Sequence, residues 1–198
     1  MQIFNKKLDL QSFLTPLFQE KKSVGLVPTM GALHKGHLSL MQKALEENDQ
    51  VVVSVFVNPT QFNNAEDLEK YPRNLERDVA TIASLSDKIV LFAPKISEMY
   101  EGTPTSQNYD FQGLDKVMEG AFRAGHFEGV ATIVEKLFNL VTPTRAYFGE
   151  KDYQQILIIK SMVAQRGLPV ILVPCPIIRE ESGLAMSSRN ERLSEQGR

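Results

Sequence analysis

The side chains best suited to chemistry lie in four polar segments that each follow a short apolar run. The first segment, Pro28-Thr29-Met30-Gly31-Ala32-Leu33-His34-Lys35-Gly36-His37, joins a predicted strand to a predicted helix. A helix N-terminus offers unpaired N–H groups to a phosphate, and glycine lets the backbone approach it closely. His34 and His37 can face one ligand if the helix begins between them. The alternative is two surface histidines beside a turn. Because two of the chain's three histidines lie in this glycine-flanked junction, we favour phosphate binding.

The second segment, Met186-Ser187-Ser188-Arg189-Asn190, puts two hydroxyl groups next to a guanidinium. Such a group of donors can hold pyrophosphate oxygens through charge-assisted hydrogen bonds. Taken alone, the segment is better explained as a serine cap on a short helix that follows it. Only together with the first segment does it indicate cleavage of ATP.

The third segment runs from Phe148 to Gln155, at the end of a predicted strand. Lys151 is a mobile charge that could neutralise a transferring phosphoryl group. Gln155 has an amide suited to a hydroxyl or a carboxylate. A charged turn in which Asp152 caps the next helix is the alternative, and it is compatible with function.

The fourth segment, Val57-Asn58-Pro59-Thr60-Gln61-Phe62, ends the most hydrophobic predicted strand. Gln61 could donate to or accept from a polar substrate at this strand end. An ordinary turn is a good alternative explanation of the Asn-Pro pair.

Strand-like and helix-like apolar patterns alternate along the whole chain. This alternation predicts an α/β fold with a doubly wound parallel sheet, and ligands beyond the carboxyl ends of the strands. We predict strands over 24–27, 51–57, 89–92, 146–148 and 170–173, and helices over 9–20, 37–47, 75–85, 130–141 and 154–166.

The composition is that of a globular protein: 198 residues, 42% hydrophobic and 23% charged, with a net charge of −2. This balance lacks the excess of positive charge that binding to nucleic acid or to an anionic membrane would favour. The single cysteine, Cys175, excludes an internal disulfide, and its proline neighbours favour a buried small apolar residue. Charges interrupt every apolar run near Met1, so we expect neither a signal peptide nor a spanning helix, and a cytoplasmic location.

The four segments, in this order, resemble the pantothenate synthetase family, within the superfamily of Rossmann-like nucleotidyltransferases and adenylate-forming enzymes marked by His-x-Gly-His. The resemblance runs from Val24 to Arg192, nearly the whole chain. It also includes the motifs Tyr71-Pro72-Arg73, Glu119-Gly120, Gly125-His126-Phe127 and Ile178-Arg179-Glu180. The two segments containing GEKDYQQ and GLAMSSRN are its most specific part.

The resemblance implies an enzyme that joins pantoate to β-alanine through a pantoyl-adenylate, with ATP and Mg²⁺, and releases AMP and pyrophosphate. It implies catalytic roles for His34, His37, Lys151, Ser187, Ser188 and Arg189. Contacts with ATP are implied for Pro28, Thr29, Met30, Gly36, Gly149, Asp152 and Met186. Pantoate would bind Gln61 and Gln155, and Asp78 matches an acidic position near the metal. His126 matches a histidine position without a definite role, and the family suggests a homodimer.

Two departures from the family pattern stand out. Ala124 precedes Gly125 where the family usually has proline, a small change in a loop. The family also has a further lid domain after the Met-Ser-Ser-Arg-Asn region, which is absent here. We therefore expect residues 1–198 to form one Rossmann-like domain that binds ATP and pantoate, with lowered turnover because a lidless site admits water.

Three other functions compete with this interpretation. A nucleotidyltransferase that makes a dinucleotide cofactor would transfer AMP to a phosphate, and would call for more arginine or lysine than the Gln61 and Gln155 pair. A module that only senses ATP would not need both histidines and Lys151. A tRNA-binding synthetase fragment would need a basic surface.

Overall fold

The computed structural model describes residues 1–194, which form a six-stranded parallel sheet with helices on both faces. The strands lie in the order β1-β4-β3-β2-β5-β6. The predicted α/β fold with a doubly wound parallel sheet is confirmed. The strands are β1 (Gln2–Phe4), β2 (Val24–Thr29), β3 (Gln50–Val55), β4 (Ile89–Phe92), β5 (Arg145–Gly149) and β6 (Ile171–Cys175).

The central strands are apolar because helices cover both of their faces. On β3, Val52 packs in the apolar cluster that contains Leu10 and Val130, whereas Val51 and Val53 pack in the cluster that contains Met41 and Ile82. The alternation follows from successive side chains pointing to opposite faces of a strand. The helices are α1 (Lys7–Gln19), α2 (Lys35–Glu47), α3 (Ala65–Glu69), α4 (Leu75–Leu85), α5 (Ile96–Met99), α6 (His126–Val141) and α7 (Tyr153–Arg166).

The topology has its switch point between β2 and β5. From β2 the chain moves outward through β3 to β4, and it later returns on the other side of β2 to form β5 and β6. A crevice opens where neighbouring parallel strands lead to connections on opposite sides of the sheet. The first polar segment follows β2 and the third follows β5, so both lie at this crevice.

Three of the strands and α-helices were not predicted, and α6 begins a full turn earlier than predicted. Strand β1 has three residues at the sheet edge, paired with β4, and is too short to show a period. Helices α3 and α5 have five and four residues, also too short to give an amphipathic pattern. Helix α6 begins at His126 rather than Val130. The prediction missed its first turn because Glu128 and Gly129 interrupt the apolar pattern there.

Across residues 1–194, no helix combines the length and apolar character that crossing a bilayer requires.

Candidate active site

The two histidines of the first segment form a reciprocal cap at the start of α2. His34 is the N-cap residue, and its Nδ1 accepts a hydrogen bond from the Gly36 N–H at 3.2 Å. The N–H of His34 donates to Nδ1 of His37 at 3.3 Å, which completes a capping box. The helix thus begins between the two histidines, which was the condition for both to face one ligand, and their ring centroids lie 4.0 Å apart.

These hydrogen bonds also fix the state of the His37 ring. Because its Nδ1 accepts from a backbone N–H, neutral His37 has its proton on Nε2. Burial lowers the pKa of His37 to about 3, and the neighbouring His34 and Lys151 act in the same direction. At neutral pH, His37 is therefore an uncharged hydrogen-bond donor.

The turn between β2 and α2 rests on a buried carboxylate. Asp78 is 2% exposed and accepts hydrogen bonds from the N–H groups of Ala32 at 3.0 Å and Leu33 at 2.8 Å. Gly31 has a φ of +82°, and a Cβ there would lie 2.8 Å from Oδ2 of Asp78. Glycine is thus needed both for the backbone conformation and for the close approach.

The third segment turns from β5 into α7. Lys151 lies in a 3-10 turn over Glu150–Asp152, and its Nζ pairs with Oδ1 of Asp152 at 2.8 Å. Asp152 occupies the N-cap position of α7 but makes no side-chain hydrogen bond to the helix. Asp152 thus has the position expected of a cap, but its carboxylate pairs with Lys151 and does not bond to the helix.

The second segment folds back onto the turn after β2. Ser187 caps the 3-10 turn Ser188–Arg192 by accepting from the N–H of Arg189 at 3.3 Å. Ser188 donates to the carbonyl oxygen of Ala32 at 3.1 Å. The serine cap expected from the sequence is thus present, and the same loop also brings Arg189 to the crevice.

The Arg189 guanidinium is held by two residues to which sequence reasoning assigned no role. It lies over the Tyr71 ring, 5.5 Å from its centroid, and pairs with Asp67 at 3.1 Å. Tyr71 belongs to a motif quoted for the resemblance, whereas nothing in the sequence pattern singled out Asp67.

The fourth segment carries Gln61, which is 7% exposed. Its Nε2 donates to the sulfur of Met30 at 2.8 Å, and its Oε1 accepts from Asn58 at 3.3 Å. Asn58 is fully buried and accepts from the Tyr100 hydroxyl at 2.7 Å. Asn58 therefore orients the Gln61 amide from beneath, a role that the Asn-Pro turn alone did not reveal.

One cleft of about 230 Å³ brings the predicted residues together at the switch point. Every site residue predicted from the sequence lines it except Asp78, which lies under the turn. Those lining it are Pro28, Thr29, Met30, His34, Gly36, His37, Gln61, Gly149, Lys151, Asp152, Gln155, Met186, Ser187, Ser188 and Arg189.

Apolar side chains make one wall of this cleft. Sequence reasoning did not assign them to the site, because residues such as Val130 and Ile133 fit a helix core equally well. Glu119, Arg123 and His126 also line the cleft. The wall is formed by Phe56, Phe62, Val130, Ile133, Val134 and Leu137.

A family model described as pantoate-beta-alanine ligase matches residues 2–198. The chain is 57% identical over its whole length to a pantothenate synthetase of Christiangramia forsetii, of which it covers 70%. A second pantothenate synthetase, from Flavobacterium psychrophilum, is 55% identical over 98% of the chain, which covers 69% of that protein.

Two solved structures are similar over almost the whole chain. A pantothenate synthetase from Thermus thermophilus has a TM-score of 0.91 and 50% identity, and the match covers 99% of this chain and 69% of that one. A pantoate-beta-alanine ligase from Francisella tularensis, complexed with beta-gamma ATP and β-alanine, has a TM-score of 0.93 and 42% identity over 98% of this chain and 74% of that one. The matched family model and these relatives show that the chain belongs to the pantoate-beta-alanine ligase family.

Proposed function

We propose that this chain forms pantothenate in two steps, first activating the pantoate carboxylate with ATP and then transferring the pantoyl group to β-alanine. One observation carries the proposal. The crevice has charge-stabilising donors around His37, Lys151 and Arg189, and two neutral amides, Gln61 and Gln155, beside an apolar wall. The first set suits phosphates, whereas the second suits a small hydroxylated acid.

The phosphates of ATP fit the part of the cleft around the start of α2 and the Ser187–Arg189 loop. The helix N-terminus contributes a partial positive charge there. Neutral His37 can donate its Nε2 proton to a phosphate oxygen without the cost of burying a charge. Lys151 and Arg189 add full positive charges, each held by a carboxylate that a phosphate could displace.

Pantoate fits the part of the cleft around Gln61 and Gln155. Its hydroxyl groups can exchange hydrogen bonds with the two amides. The present partner of the Gln61 Nε2 is a methionine sulfur, a weak acceptor that a substrate oxygen can replace at little cost. The two methyl groups of pantoate match the wall formed in part by Val130 and Ile133.

In the first step a pantoate carboxylate oxygen attacks the α-phosphorus, and the bond from that phosphorus to pyrophosphate breaks. Charge builds on the phosphate oxygens, where His34, His37, Lys151, Ser187, Ser188 and Arg189 stabilise it. In the second step the β-alanine amine attacks the acyl carbon, loses a proton, and releases AMP with the former carboxylate oxygen. No protein nucleophile is required.

Magnesium, which the family resemblance implies, would neutralise charge on the ATP phosphates. Within residues 1–194, no group of three His, Cys, Asp or Glu side chains is arranged to hold a metal ion. The resemblance implies an ion coordinated mainly by the ATP phosphate oxygens, with water completing its shell. Asp78 is the carboxylate that the resemblance offers toward the ion. Asp78 already accepts hydrogen bonds from the N–H groups of Ala32 and Leu33, and a metal contact stays a prediction.

An oxygen-transfer experiment tests the adenylate directly. Pantoate labelled with ¹⁸O in its carboxylate is incubated with ATP, Mg²⁺ and β-alanine, and the AMP is analysed by mass spectrometry. The proposal predicts one labelled oxygen in each AMP formed. ADP in place of AMP, together with labelled inorganic phosphate, would instead indicate an acyl phosphate. The dimer that the resemblance suggests is tested separately by light scattering, with an expected mass of twice the 22.3 kDa of one chain.

A further inference from the structure

We propose that His126 is a positioning residue, whose ring holds the Gln61 main chain so that the Gln61 side chain is oriented for pantoate. The inference rests on the function proposed above. His126 is the first residue of α6, is 6% exposed, and lines the cleft.

The hydrogen bonds of His126 determine which ring nitrogen has the proton. Its Nδ1 lies 2.7 Å from the carbonyl oxygen of Gln61, so Nδ1 must be the donor. Its Nε2 lies 3.1 Å from Nη1 of Arg123, and a guanidinium can only donate, so Nε2 must be the acceptor. These two contacts require a neutral ring protonated on Nδ1.

The surroundings of the ring favour this neutral state. Burial lowers the pKa of His126, and the positive charge of Arg123 lowers it further. The hydrogen bond to Gln61 and the charge of Glu119 oppose this shift without reversing it. Arg123 is itself paired with Glu119, which holds its guanidinium against the ring.

The first turn of α6 also holds the Gln61 segment at a second point. The carbonyl oxygen of Gly129 accepts from Nδ2 of Asn58 at 3.0 Å, and Asn58 in turn contacts the Gln61 amide. A Cβ on Gly129 would lie 2.3 Å from the carbonyl oxygen of Thr60, so helix and turn are in direct backbone contact. With Asn58 fixed in this way, the Gln61 carbonyl is held by the short bond from His126 and by a longer one from Nη2 of Arg123 at 3.4 Å.

Two substitutions separate this role from simple filling of space. In His126→Asn, the side-chain Nδ2 can take the place of Nδ1 and still donate to Gln61. In His126→Gln, the longer amide reaches the place of Nε2 instead, so the bond to Gln61 is lost. We expect His126→Gln to raise the KM for pantoate about tenfold and His126→Asn to change it less than about threefold, with the KM for ATP within about twofold of wild type in both.

The variants are measured by pantoate-dependent exchange of pyrophosphate into ATP, with ATP binding and thermal unfolding as checks on folding. Equal effects of the two substitutions on the KM for pantoate, or no effect of His126→Gln, would overturn the proposal. If wild type shows no pantoate-dependent exchange, the proposed function fails, and the spectroscopic test below still decides the ring geometry.

A spectroscopic test on the wild-type chain avoids any folding problem. All three histidines lie within the described residues, and Nδ1 accepts a backbone N–H in both His34 and His37. In a ¹⁵N-histidine spectrum at pH 7.5 we therefore expect His126 to be the one histidine with a protonated Nδ1 and an unprotonated Nε2. A signal of the opposite tautomer for His126 would rule out its bond to Gln61.

Discussion

The main-chain N–H of His34 donates to Nδ1 of His37, and the two rings lie 4.0 Å apart at the start of α2. The spacing of the His-x-Gly-His motif therefore does two things. It caps the helix with imidazole groups where serine and glutamate usually serve, and it places both rings in the cleft at the switch point. Helix stability and the proposed ligand contact thus depend on the same side chains.

The lowered pKa of His37 predicts a loss of stability in acid. The unfolded chain binds a proton at His37 below pH 6.5, whereas the folded chain does not until about pH 3. The unfolded state therefore binds more protons in this window, and stability falls as the pH falls from 6.5 toward 3. We expect wild type to lose up to about 1.4 kcal/mol of unfolding free energy per pH unit more than His37→Asn. Urea unfolding at pH 7.5, 5.5 and 4.5 measures this, and parallel pH curves for the two proteins would contradict the assignment.

Replacing Lys151 tests the charge-stabilising role of the turn after β5. We expect Lys151→Ala to lower the kcat of pyrophosphate exchange by about tenfold to a thousandfold, because one charged donor to the transition state is lost. We expect the same range for His34→Ala. Lys160→Ala is the matched control, since Lys160 is exposed on α7 and does not line the cleft. A loss of equal size in the control would mean that general charge on α7, rather than contact with phosphate, is responsible.

Asp78→Asn tests the support beneath the first turn. The substitution turns one acceptor oxygen into an NH₂ group facing the N–H of Ala32 or Leu33, so we expect about 1–3 kcal/mol less unfolding free energy. Asp87→Asn, on an exposed residue, should change stability little. If Asp78→Asn left stability unchanged and altered only the Mg²⁺ dependence of exchange, the metal role suggested by the resemblance would be the better account.

Gln155→Ala tests the second amide of the proposed pantoate site. The alanine side chain has no amide to pair with a substrate hydroxyl. We therefore expect the KM for pantoate to rise about tenfold, with the KM for ATP nearly unchanged. Gln11→Ala, on the exposed face of α1, serves as the control. A rise in the KM for ATP alone would move Gln155 from the pantoate site to the nucleotide site.

Much of the fold could be predicted from the sequence because the spacing of its apolar residues clearly distinguishes strands from helices. The run Val51–Val53 could only suit a strand covered on both faces, and the bounds of α4 and β4 agree with the prediction. Short elements such as β1 were not predicted, because three residues are too few to show a periodic pattern of apolar side chains. The start of α6 escaped because Gly129 is there to let the helix touch the Thr60 carbonyl, a tertiary requirement that no local pattern shows.

The site could be predicted where a residue type is unusual for its position. Two histidines around a glycine and a lysine after a strand are such cases, and the structure places His34, His37 and Lys151 in one cleft. The residues that hold these site side chains in place were not predicted, because their partners are distant in sequence. Asn58 acts through Tyr100 and Gly129, and Arg189 is held by Tyr71 and Asp67, contacts that only the folded chain creates.

Exchange of labelled pyrophosphate into ATP, with Mg²⁺ and without β-alanine, tests the central claim most directly. The proposed mechanism predicts exchange that requires pantoate, because the carboxylate attack on the α-phosphorus is reversible. A nucleotide phosphate offered in place of pantoate should support none. Binding of ATP without any exchange in the presence of pantoate, or equal exchange with the phosphate acceptor, would contradict the account.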